Sequence, residues 1–76
     1  MADGVVLFSS VHFVLRAEKV LTEKGFSPKV IPIPRHLSSD CGVCLRIPWA
    51  KRQEITAVLD GAALKWEGIH RINEDG

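Results

Sequence analysis

Tyrosine is absent from this 76-residue chain, and its aromatic residues are three Phe and two Trp. Proteins that hold single-stranded nucleic acid stack bases on aromatic platforms along a basic groove. Ten Lys and Arg stand against nine Asp and Glu, and no basic run tracks any segment, so nucleic acid is not an expected partner. Two cysteines are too few to staple a secreted mini-scaffold. No apolar stretch approaches the roughly 20 residues of a membrane span, and Val5–Phe8 is too short for a signal segment. The cytoplasm is the expected compartment, with both thiols reduced and no membrane partner. A glycine-rich phosphate loop, a Gly-x-Ser-x-Gly turn and a pair of cooperating carboxylates are missing too, which removes the commonest hydrolase and phosphoryl-transfer chemistries.

What is present reads as one small domain, residues 1–76, with an ordered core over about 4–72. Gly4–Phe8 is an apolar run, as in a central strand covered on both faces. Ser9 and Ser10 are good helix caps. Phe13, Val14, Ala17, Val20 and Leu21 then fall on one helical stripe, closed by Lys24-Gly25. Leu15 falls off that stripe. Lys29–Pro34 is extended, and its two alternate prolines predict an edge strand. After a polar loop over Arg35–Asp40, Cys41–Trp49 alternates as a strand, with Leu45, Ile47 and Trp49 on one face and Cys44, Arg46 and Pro48 on the other. Ala50–Asp60 reads as a second helix with Ile55, Val58 and Leu59 inward and Gly61 as its stop, and Leu64–Ile72 as a last strand. The order β-α-β-β-α-β predicts an α+β, ferredoxin-like split βαβ fold: a four-stranded antiparallel sheet with both helices on one face.

That topology gathers chemistry from distant parts of the chain. The start of the third strand, at Cys41-Gly42, is expected near the end of the first strand and the N-terminus of the first helix. Unpaired N–H groups and partial positive charge there favour a thiolate. His12 in the first helical turn, with Arg35 and Arg46, adds donors and charge; Gly42 permits close approach. The plainer readings are core packing for a strand cysteine such as Cys44, capping for Ser10, solvated surface for His12 and a solvent-facing alternate for Arg46. Cys41, beside a polar loop, reads as the more accessible thiol. A thioredoxin-type pair opens a helix, whereas Cys41-x-x-Cys44 leads into a strand closed by Pro48. His36, Cys41 and Cys44, with His12, are a weak match to a zinc ligand set, because strand neighbours three apart point to opposite faces. No metal and no diffusible cofactor is expected.

Phe8-Ser9-Ser10-Val11-His12, the run Arg16–Gly25, Ile31-Pro32-Ile33-Pro34-Arg35, and Ser38–Arg46 with Cys41-Gly42 at its centre resemble a family of small selenium/sulfur carrier-like proteins. The resemblance covers most of Val5–Ile47, and its most specific part is Pro-x-Pro-Arg followed by Ser-Ser-x-Cys-Gly. It implies a carrier rather than an enzyme, holding sulfur or selenium covalently on Cys41. Gly42, Arg35, Ser10 and His12 accompany it, and Cys44 stands at a less defined position. It also implies a donor such as a cysteine desulfurase, and an acceptor protein. Two other readings stay open: a thiol–disulfide module in which Cys44 resolves Cys41, and a non-catalytic domain docking through Val30–Ile33.

Overall fold

A computed structural model of the chain describes residues 2–37 and 42–73. Strand β1 (Ala2–Leu7) leads into helix α1 (Val11–Glu23), followed by β2 (Lys29–Pro32), β3 (Val43–Pro48), a 3-10 turn (Trp49–Lys51), α2 (Arg52–Gly61) and β4 (Gly68–Asn73). The strands form one sheet in the order β2-β3-β1-β4, every neighbour antiparallel. This is the split βαβ, ferredoxin-like arrangement that the alternation of patterns predicts.

Register decides what each face carries. Val6 stands opposite Leu45 on one side and Ile69 on the other, and Gly4 opposite Ile47 and Arg71. Val6, Leu45 and Ile47 point to the helices, where they pack with Phe8, Val14, Ala17, Leu21, Ile55, Leu59 and Leu64. The alternate residues Val5, Leu7 and Cys44 point the other way and form a second buried cluster, with Ile31, Ile33, Leu37 and Ile72 against it. Val5–Phe8 is therefore buried on both faces, which explains why this run is continuously apolar rather than alternating. Leu15 is half exposed, in keeping with its position off the helical stripe.

Both helices stop by the same device. At the end of α1, Gly25 takes φ +95°, its N–H donates to the Thr22 carbonyl at 3.1 Å, and the Phe26 N–H donates to the Leu21 carbonyl at 3.0 Å. That is a Schellman closure, with Phe26 turned onto the core. At the end of α2 the pattern recurs two residues later than the sequence indicates. Gly61 is the last helical residue, Ala63 takes the left-handed position at φ +57°, and the Leu64 N–H donates to the Leu59 carbonyl at 3.0 Å. Burial of Leu64 requires that turn, so side-chain packing overrides the preference for glycine.

Other boundaries shift for similar reasons. Trp49, expected in the third strand, opens the 3-10 turn because Pro48 ends the ladder. Its ring still reaches the helix side of the sheet: a Cβ added at Gly4 would lie 2.7 Å from Trp49 Cε3. The Arg52 guanidinium stacks 4.5 Å from the ring and donates to the Trp49 carbonyl at 2.9 Å. Leu64 and Trp66 precede β4 instead of belonging to it. β2 ends at Pro32, two residues early, since Pro34 offers no N–H and the opposite chain departs from the pleat at Gly42, φ +81°. Cys41, expected to begin the third strand, lies outside the described residues.

Two substitutions test this packing. Ala63→Gly raises stability by about 0.5–1 kcal/mol in urea denaturation, since glycine adopts the left-handed turn without the Cβ penalty. Gly4→Ala lowers it by about 1–3 kcal/mol, and in a Trp49→Leu background that loss falls by more than half, because the clash is with the indole ring.

Candidate functional site

The antiparallel pairing of β1 with β3 brings the start of one strand beside the end of the other. Their register runs from Asp3–Pro48 to Val6–Leu45, so β3 starts at the end of the sheet where β1 finishes and leads on to α1. Gly42 uses its positive φ to leave the pleat, its carbonyl accepts the Ile33 N–H at 3.3 Å, and an added Cβ would meet no described residue within 4 Å. The chain thus enters β3, a central strand, at the end of the sheet from which β1 runs on towards α1. Cys41, one residue earlier, is outside the described residues, as are Ser38, Ser39 and Asp40.

Ser10 caps α1 through its extended backbone, φ −155° and ψ 158°; its carbonyl accepts the Val14 N–H at 3.3 Å, but its side chain makes no cap hydrogen bond. The first amide N–H groups of a helix have no acceptor within the helix. The first turn contains no acidic residue. That end of α1 keeps its partial positive charge uncompensated from within. His12 is exposed, its ring set edge-on to Phe13 with centroids 6.0 Å apart. Arg35 and His36 are exposed in the turn Pro34–Leu37, where the Leu37 N–H donates to the Pro34 carbonyl at 3.0 Å.

Two site residues anticipated from sequence stand elsewhere. Cys44 is fully buried, 0% exposed, against Val5 and Leu7 on the face away from the helices. Arg46 lies four residues along the strand from Gly42, about 13 Å at strand spacing. Its Nε donates to Asp3 Oδ2 at 2.8 Å and its Nη2 lies 2.6 Å from the same oxygen. With side chains 32% and 26% exposed, such a pair contributes about 1 kcal/mol at most. Sequence reasoning passed over Asp3 and Leu37. Asp3 was legible only through the register, two positions from Val5. Leu37 stood in plain view as the one apolar residue of a polar loop, and it packs on the Cys44 cluster, fixing the start of the segment that leads to Cys41. Among the described residues, no three His, Cys, Asp or Glu side chains are grouped to hold a metal ion, and no helix is long and apolar enough to cross a membrane.

Over residues 3–71 the sequence matches the family described as "Putative Se/S carrier protein-like". It is 33% identical over 61 residues to "Uncharacterized protein YtiA" of Escherichia coli (strain K12), an alignment covering 80% of this chain and 72% of that protein. No solved structure matches the chain.

The burial of Cys44 has a direct chemical readout. In the native protein Cys44 is alkylated by iodoacetamide at least a hundredfold more slowly than in urea, as followed by peptide mass. Cys44→Ala costs about 1–3 kcal/mol, because it removes a fully buried side chain from the cluster with Val5 and Leu7.

Proposed function

The chain belongs to the Se/S carrier protein-like family, and from that premise we propose that it carries one sulfur or selenium atom on Cys41 and hands it to an acceptor protein. The observation that supports Cys41 over its neighbour is the complete burial of Cys44, which removes the second thiol from the reach of any partner.

The chemistry is a balanced exchange with no net oxidation. The Cys41 thiolate attacks the outer, sulfane-level sulfur of a donor persulfide; a new S–S bond forms at Cys41, the donor's S–S bond breaks, and the donor leaves as a thiolate. In the second half an acceptor thiolate attacks the same outer atom and Cys41 departs as the leaving thiolate. A donor carrying selenium at the same oxidation level follows the same course. Between the two steps the terminal atom is an anion. Amide N–H groups at the start of α1, near Ser10 and His12, are suited to it, and Gly42 leaves room for it. Arg35, exposed in the preceding turn, is the first source of compensating charge. Arg46, paired with Asp3 about 13 Å along β3 from Gly42, is too far to supply it.

A thiol–disulfide module requires Cys44 to emerge and attack Cys41, and it differs in a measurable way. Intact mass after incubation with a cysteine desulfurase and cysteine, or with a selenium-charged donor, shows one added atom on the wild type and on Cys44→Ser, and none on Cys41→Ser. Loss of the adduct in Cys44→Ser, or a Cys41–Cys44 disulfide as the main product, replaces the carrier with the redox reading. Arg35→Ala lowers retention of the added atom about tenfold, the loss of one charge-assisted contact, whereas Lys29→Ala leaves it unchanged.

A further inference from the structure

The two outer rims of the sheet are built differently. β2 carries Pro32 at its end and pairs along its inner side with β3. β4 carries neither proline nor lysine, and among the described residues it pairs with β1 alone. Every second residue of an edge strand turns its N–H and C=O outward, and soluble proteins commonly blunt such a rim with proline, lysine or a bulge. The register of β1 with β4 runs unbroken through six residue pairs, so β4 has no bulge either. Its apolar side chains are only half covered. Ile69 packs on the helix-side core and Ile72 on the cluster of Val5, Leu7 and Cys44, and both stay half-buried.

We propose that two copies of this chain pair through β4, antiparallel about a two-fold axis at Ile69, so that their four-stranded sheets join into one of eight strands. The rim is complementary to itself in that register. Ile69 of one copy faces Ile69 of the other on the helix side. On the same side exposed Arg71 comes opposite exposed Glu67, once on each side of the axis. On the other face His70 comes opposite Gly68, which has no side chain to obstruct it. Charge selects this register over its neighbours. An axis at His70 sets Arg71 against Ile69, and an axis at Arg71 sets that cation against its own counterpart. The pairing also closes on itself. Both outer rims of the joined sheet are then β2, four residues long and ended by Pro32, so association stops at two copies. Neither cysteine lies on β4, and the pairing stands apart from the carrier reading.

Sedimentation equilibrium of the full chain, with reductant present to remove disulfide-linked dimers, tests the pairing. The wild type gives a monomer–dimer equilibrium. Arg71→Glu and Glu67→Arg each weaken it about tenfold, because each sets like charges opposite one another at both ends of the interface. Glu67→Arg/Arg71→Glu together restores association to within about threefold of the wild type, which a general loss of stability does not do. Both side chains are exposed, so all three variants fold. As protein concentration rises, amide exchange slows at alternate residues of Gly68–Asn73 and not along β2. A chain that stays monomeric at every concentration overturns the pairing and leaves the rim to a strand of another protein. Single variants that associate as well as the wild type overturn it too, as does a double variant as weak as the single ones, or protection gained on β2.

Discussion

The fold depends on burying β1 from both sides. A sheet with helices on one face needs only alternate apolar residues, yet Val5, Val6 and Phe8 are each fully buried and Leu7 nearly so. Two helices and the inward faces of β3 and β4 cover Val6 and Phe8. Val5 and Leu7 demand a second cover on the helix-free side, supplied by Cys44 with Ile31, Ile33, Leu37 and Ile72. At roughly 1.5–3 kcal/mol for each fully buried aliphatic side chain, neither set is dispensable in a chain this small. The segment between β2 and β3 is thus tied down at Leu37 by the same requirement that sets the core.

This second cover separates the two cysteines chemically. Cys44 fills apolar space that a larger residue would overpack and a polar one would hydrate. Gly42, two residues earlier, is where the backbone turns out of the pleat. Of the two thiols close in sequence, the one within β3 is used as core. Arg46, drawn to Asp3, links the central strands.

The element order, the central place of β1 and β3 and the edge position of β2 were legible because each rests on a strong local signal: a continuous apolar run, alternation, or paired prolines. The stripe on α1 was legible for the same reason. Boundaries were less so. Nothing local marks Ala63 as the left-handed stop of α2, because the demand comes from Leu64 and the core beneath it. Trp49 alternates as if in the strand, and only Pro48 together with the space above Gly4 sends its ring across from a turn. Of the site, topology alone sets the start of β3 at the end of the sheet where β1 finishes. The apolar character of the helix-free face, and with it the fate of Cys44, required knowing that β1 is covered twice.

The two edges of the sheet differ in what they offer to a foreign strand. β2 is four residues long and ends in proline, so its outer rim is short and poor in donors. β4 is six residues long and free of proline, and it pairs with β1 alone. Any growth of this sheet by strand addition, in crowded solution or during refolding, is therefore one-sided, starting at Gly68–Asn73.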